Sequence, residues 1–181
     1  YSFISYRTAY LKCHYPAEYM CALLTSVTGS VDKVNEYIAV CKGEGIEVLP
    51  PDINESRELF IPSDGKIRFS LSSLKNLGEK FVQALVYERD LHGPYSSFED
   101  FVCRLSEQDI NKKQLQTLIY AGAFDSLGVN RKQLMTVYES FVDAVNEKRR
   151  VNLAGQLDFF SDSASAETNA LTYPDVDDFS A

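Results

Sequence analysis

Residues 66–86 read KIRFSLSSLKNLGEKFVQALV. The residues in this stretch that could do chemistry are Lys75, Asn76, Leu77, Gly78 and Lys80. A glycine between two helical segments can adopt backbone angles that a side chain forbids. The first N–H groups of the helix that follows have no intrahelical acceptor and lie at the positive end of its dipole. Such a turn is a phosphate-sized anion site, and Lys75 and Lys80 add charge beside it. The chemistry is binding of a phosphate, not the making of a bond. The alternative is a plain turn between two helices in which Gly78 only ends the first.

The same pattern recurs in residues 118–134, LIYAGAFDSLGVNRKQL. Here Gly122 breaks one helix, and Arg131 and Lys132 stand at the start of the next. Lys112 and Lys113 stand at the start of the helix before it. Two helix–glycine turn–helix units with a connector helix between them read as a tandem helix-hairpin-helix. A pair of such hairpins touches both phosphate strands across one minor groove, so it reads the backbone and not the base sequence. The alternative for the basic residues is a solvated helix face.

A third constellation is Gln156, Leu157, Asp158, Phe159 and Phe160, which follow Gly155. A polar head and clustered large apolar groups, in an otherwise polar tail, suit a pocket on a partner. Burying Leu157 and Phe160 contributes roughly 1.5–3 kcal/mol each. Ordering costs leave a peptide of this kind in the micromolar class. The alternative is that these side chains fold back onto the domain.

The elements that must position these residues follow from periodicity and punctuation. A helix is expected over 2–14, striped with Phe3, Tyr6 and Tyr10, and ended by His14-Tyr15-Pro16. Pro16 suits the first position of a second helix reaching Val27, and Ser30 can cap a third running to Lys42. These three helices are expected to pack on one another. Ile46 to Leu49 reads as a short β run and Asp52 to Arg57 as irregular. Residues 59–61 and 67–71 read as a small hairpin turned at Asp64-Gly65. A first helical turn is expected over Ser72–Lys75, and a second helix from Gly78 to about His92. Ser97 with Asp100 resembles a capping box, Asn111 and Asn130 are expected helix caps, and the last helix carries Leu134, Val137, Tyr138, Phe141 and Val145 on one face as far as Arg150. Residues 161–181, rich in Ser, Ala, Asp and Thr, are expected to be disordered.

Composition bounds the function classes. The 181 residues are 45% hydrophobic and 24% charged, as in ordinary water-soluble domains. The net charge of −8 argues against a protein that holds nucleic acid by charge alone. It is unevenly placed, however. Residues 151–181 hold six acids and no Lys or Arg, so a near-neutral body remains that can carry a local basic face. No apolar run is long enough for a membrane span. The four cysteines, without C-x-x-C spacing, read as reduced thiols of a cytosolic protein. The chain opens on Tyr1 without a methionine and reads as a piece of something larger.

The segments YRTAYLKCHYPAEYMCALLTS, GIEVLPPDINES, IRFSLSSLKNLGEKFVQALV, LIYAGAFDSLGVNRKQL and GQLDFF occur in this order. Together they resemble the alpha subunit of bacterial DNA polymerase III, over residues 1 to about 161. The resemblance implies a mostly α chain with a small β-hairpin. Residues 1–60 would be the end of the fingers domain, 61–151 a tandem helix-hairpin-helix domain on primer-template duplex, and 152–181 a clamp-binding peptide with an acidic tail. It implies contacts to DNA from Lys75, Asn76, Leu77, Gly78, Lys80, Gly122, Arg131 and Lys132. It also implies capture of the sliding clamp, the beta subunit, by Gln156, Leu157, Asp158, Phe159 and Phe160, with Phe159 where leucine or methionine is usual. The remaining partner would be the rest of the polymerase chain, in the bacterial cytoplasm. The family joins nucleotides with palm carboxylates and magnesium. Glu99-Asp100 at a helix start and Asp177-Asp178 in the tail do not have that setting, so no catalysis and no cofactor are expected of this chain. Two other readings compete: a protein-interaction module with little DNA contact, and a helix-hairpin-helix domain of a repair nuclease or ligase.

Overall fold

The computed structural model describes residues 1–106, 110–155 and 173. Among these the chain is mostly helical, with one three-stranded sheet. The helices are α1 (Ser2–His14), α2 (Pro16–Ser26), α3 (Val31–Gly43), α4 (Glu79–His92), α5 (Phe98–Arg104), α6 (Lys112–Tyr120) and α7 (Arg131–Gly155). The strands are β1 (Val48–Leu49), β2 (Ile61–Ser63) and β3 (Lys66–Arg68), in the order β1-β3-β2. The expected hairpin is there, antiparallel with Ser63 opposite Lys66. Its turn places Asp64 at φ 51° and Gly65 at φ 77°, the two left-handed residues that suit the twist of a hairpin. The Ile46–Leu49 run, read as a short β segment, forms a strand over Val48–Leu49. It supplies β1, parallel to β3 with Val48 opposite Ile67, a pairing the sequence did not indicate. Pro62, which cannot donate to a ladder, lies on an edge strand.

Two apolar cores form. The first joins α2 and α3 to the sheet through Ala17, Met20, Cys21, Leu24, Val34, Cys41, Ile46, Phe60 and Ile67. The second, larger one gathers α4 to α7 around Phe98, Phe101 and Phe124. Phe124 meets both other rings edge-on, at 5.2 and 5.1 Å between centroids, the arrangement that aromatic quadrupoles favour. Ile53 belongs to the second core while Phe60 and Ile67 belong to the first, so residues 46–69 serve both.

Helix α1 departs from expectation. It lies against α2 but buries none of its residues, and Phe3, Tyr6 and Tyr10 of its stripe are exposed. The sequence carried the helix signal, but none of the described residues buries that face. Helix α7 also extends beyond the expected stop at Arg150, to Gly155, because no proline or earlier glycine interrupts it.

The segment expected to be irregular is a stitched turn between the cores. Asp52 Oδ1 accepts the N–H groups of Asn54 (2.7 Å) and Glu55 (3.0 Å), and Ser56 Oγ donates to the Phe69 carbonyl (2.8 Å). Asn54 and Tyr95 bond each other twice: the Asn54 amide donates to the Tyr95 carbonyl (2.9 Å) and accepts the Tyr95 N–H (2.8 Å). Arg89, buried on α4, donates to the carbonyls of Ile53 (2.9 Å) and Ser56 (2.8 Å). The Ile53 N–H donates to the Ala123 carbonyl (2.8 Å), which fastens this turn to the break after α6.

Candidate nucleic-acid interface

The first hairpin is shorter than the sequence suggests. In place of a helical turn over Ser72–Lys75 there is a 3-10 turn over Leu71–Ser73, capped by Ser70 Oγ, which accepts the Ser73 N–H at 3.2 Å. The left-handed residue is Asn76, at φ 67°, and not Gly78. Asparagine tolerates that region better than most residues. Gly78 is extended, at φ −72° and ψ 145°, and a Cβ built on it would meet nothing within 4 Å. The expectation that Gly78 is needed for its backbone angles is therefore corrected: any residue can adopt them.

What Gly78 does provide is an open helix start. It is the N-cap residue of α4, and no side chain caps that end. Its carbonyl accepts the N–H groups of Phe81 (3.0 Å) and Val82 (3.1 Å), so the earlier N–H groups of the first turn have no acceptor within the helix. Lys75, Asn76 and Lys80 are exposed around this end, while Leu77 is buried and anchors the turn in the second core. Glu79 is also exposed in the first turn, where its carboxylate opposes an incoming anion. The Asn76 amide reaches Thr117 Oγ1 on α6 at 3.4 Å, and Thr117 in turn bonds the Lys113 carbonyl one turn earlier. The turn of the first hairpin and the exposed Lys113 thus belong to one neighbourhood.

The second hairpin closes its own helix ends. Asn111 caps α6 in a full capping box with Gln114. Asn130 Oδ1 accepts the Lys132 N–H (2.8 Å) and weakly that of Gln133 (3.4 Å), which occupies the start of α7. Helix α6 ends in a Schellman motif: the Gly122 N–H donates to the Ile119 carbonyl and the Ala123 N–H to that of Leu118, both at 3.0 Å, with Gly122 at φ 78°. Gly122 is buried, with the Arg131 guanidinium and the Asp125 carboxylate laid over it; an added Cβ would clash with Arg131 Nη2. Arg131 Nε donates to Asp125 Oδ1 at 2.9 Å, and Nη2 pairs with Oδ2. Lys112 is tied to Asp143 of α7 at 2.7 Å, and that hydrogen bond raises its pKa. Lys132 is exposed.

The sequence-derived residues therefore divide. Lys75, Asn76, Gly78 and Lys80 frame one open helix start, with Lys113 near it. Gly122 and Arg131 meet each other, and Lys132 stands at the neighbouring helix start. Gln156, Leu157, Asp158, Phe159 and Phe160 lie outside the described residues. Sequence reasoning missed Thr117 and the Asp125 carboxylate. It also missed Arg89, whose position four residues after Leu85 on the apolar face of α4 was the available sign.

Comparison with known proteins agrees with this architecture. A helix-hairpin-helix motif family matches residues 45–134. A DNA polymerase III subunit alpha of Saccharopolyspora erythraea is 43% identical over 172 residues, covering 94% of this chain and 14% of the relative. One from Mycobacterium tuberculosis is 44% identical over 160 residues, covering 88% of this chain and 14% of the relative. One from Thermus aquaticus is 42% identical over 162 residues, covering 90% and 13%. The chain thus spans about one seventh of the length of the relatives it matches. At this identity, over nearly its whole length, the chain belongs to the DNA polymerase III subunit alpha family.

Proposed function

We propose that this chain is a duplex-gripping part of a bacterial replicative DNA polymerase, acting without sequence preference. The observation that carries the reading is the contrast among the helix starts of the hairpins, α4, α6 and α7. Those of α6 and α7 are filled by Asn111 and Asn130, whereas α4 starts uncapped at Gly78 with Lys75, Asn76 and Lys80 around it. A phosphate fits such an end because it receives N–H donors, the helix dipole and lysine charge together. Gly78, lacking a side chain, leaves the approach clear. Lys113, Lys132 and Arg131 extend the contact to the second hairpin, Arg131 by leaving Asp125. Gly122 serves by closing α6. In this reading residues 1–60 belong to the fingers, 61–151 to the grip and 152–181 to a tether. Residues 156–160 capture the sliding clamp. Nucleotide addition belongs to the rest of a longer chain in the bacterial cytoplasm.

The test is fluorescence anisotropy with a duplex of about 20 base pairs across a salt series. The expected result is weak binding, indifferent to sequence, that falls with a log–log slope of about −0.9 for each phosphate contacted. Absence of binding at low salt would favour protein packing as the role of the hairpins. For the tether, replacing Leu157 and Phe160 by Ala abolishes retention on immobilised clamp; retention of the double variant would refute that part.

A further inference from the structure

The turn Asp52–Ser56 precedes both hairpins in the chain, yet its bonds run to each of them. Arg89 of α4, the second helix of the first hairpin, donates to the carbonyls of Ile53 (2.9 Å) and Ser56 (2.8 Å). The Ile53 N–H donates to the Ala123 carbonyl (2.8 Å), in the break between the helices of the second hairpin. Asn54 exchanges two bonds, of 2.9 and 2.8 Å, with Tyr95 in the connector from α4 to α5. Tyr95 extends the connection. Its hydroxyl donates to the Leu85 carbonyl of α4 (2.8 Å), and its ring meets Phe101 of α5 edge-on, at 4.9 Å between centroids. Ile53 itself is fully buried among side chains of α4 to α7.

These bonds matter because direct packing between the hairpins is uneven. Helix α6 packs closely on α7, and α5 on α7, whereas the close packing of α4 is with the 3-10 turn before it. Side chains of α4 share the second core with those of α5 to α7, but apolar contact is non-directional and fixes an angle poorly. The Asn76–Thr117 bond between the hairpins is long, at 3.4 Å, and exposed. Hydrogen bonds of a buried turn are directional, and they are stronger away from water. One short piece of backbone thus ties α4, the α4–α5 connector and the break after α6 together.

We infer that Asn54 is a positioning residue for the duplex grip: through Tyr95 it fixes the angle between the two hairpins so that both meet one duplex together, a role whose binding half rests on the duplex-binding reading. Two weak phosphate sites on one rigid frame bind as a unit, because the second contact forms at high effective concentration once the first is made. Loosening the frame loses that advantage without removing any contacting group. Asn54 carries no charge, so its replacement by Ala leaves the charges of both sites as they are.

Asn54→Ala in the 181-residue chain removes both bonds to Tyr95 and tests this. Gln83→Cys on α4 and Thr136→Cys on α7, both at exposed positions, carry spin labels in a Cys13→Ser, Cys103→Ser background and report the distance between the hairpins without DNA. Duplex anisotropy across a salt series, on the unlabelled proteins, reports the grip. Asn54→Ala is expected to broaden the distance distribution and to lower duplex affinity about tenfold at low salt. The log–log salt slope is expected to flatten by about 0.9 for each phosphate lost. A merely stabilising role for Asn54 would lower the urea midpoint and leave distance and slope unchanged in the folded protein. Asn54→Asp keeps the bond from the Tyr95 N–H and loses the other. Scored by distance alone, because it adds a charge, it is expected to fall between, and it decides the matter where Asn54→Ala does not fold. An unchanged distance distribution in a folded variant would overturn the positioning role, whatever the DNA result. A broadened distribution with unchanged affinity and slope would overturn the link from angle to grip. A broadened distribution with no duplex binding by either protein would support the positioning and refute the duplex reading.

Discussion

Arg131, the first residue of α7, grips the Asp125 carboxylate with two nitrogens directly over Gly122, so one ion pair locks the turn between α6 and α7. The glycine is needed twice there: its φ is 78°, and a Cβ would run into both partners. Gly122→Ala is expected to cost about 1–2 kcal/mol from the left-handed backbone, with a further cost for displacing Arg131. In an Arg131→Ala background the second part disappears, so the two changes are non-additive in urea unfolding. In the duplex-binding reading the same pair competes with DNA. Asp125→Asn is expected to tighten duplex binding at low salt and to steepen the salt slope by about one contact, roughly 0.9.

The first hairpin separates backbone need from ligand need. Asn76 holds the left-handed position, so Asn76→Gly is expected to be near neutral and Asn76→Val to cost about 1–2 kcal/mol in chemical unfolding. Gly78 is extended with open space beside it, so Gly78→Val folds with little change in midpoint. Its duplex affinity is nonetheless expected to fall, because the new side chain shields the first N–H groups of α4. Unchanged affinity in a folded Gly78→Val protein would take this hairpin out of the contact.

Arg89 holds the turn that stitches the cores. Burial pushes its pKa below the ordinary value, while Asp90 opposes that shift. Its Nη1 satisfies the carbonyls of Ile53 and Ser56. Arg89→Met leaves two carbonyls short of a donor and is expected to destabilise the chain by about 3 kcal/mol. Lys at this position, a single ammonium in place of a planar fork, is expected to restore less than half of that. Guanidinium unfolding of the three proteins measures the difference.

Alkaline pH probes the cores. Burial, with smaller contributions from Cys41 and Glu18, pushes the Cys21 thiol up to about 12, and burial with Glu139 pushes the Tyr138 phenol to about 12. Both groups give up their protons at lower pH in the unfolded chain, near their ordinary values of 9.0 and 10.0. The unfolded state therefore binds fewer protons than the folded one between those values and about 12. The stabilisation is complete below pH 9 and is lost as pH rises toward 12. Urea midpoints at pH 8, 9 and 10 are expected to decline in that order. At pH 8 a thiol reagent is expected to modify exposed Cys13 and Cys103 at once, and buried Cys21 and Cys41 only after denaturant is added.

The sequence by itself determined what depends on nearest neighbours along the chain. Apolar periodicity marked the helices, Asp64-Gly65 the hairpin turn, Asn111 and Asn130 the caps of α6 and α7, and Gly122 the end of α6, because each acts through backbone angles or hydrogen bonds within a few residues. It also carried the resemblance to the polymerase family, spread through segments in fixed order. Tertiary structure decided what depends on residues far apart. That β1 joins β3, that Asp52–Ser56 is a stitch and not a loop, and that Arg89 is its buried clasp all rest on partners 13 to 41 residues away. The left-handed residue of the first turn is Asn76 and not Gly78, with Leu77 between them buried in the second core. Of the basic residues that composition makes alike, Lys112 and Arg131 are tied to Asp143 and Asp125, while Lys75 and Lys80 are exposed on either side of an uncapped helix start. Charge type is written in the sequence, but whether a charge is spent on the fold depends on which carboxylate packing brings within reach.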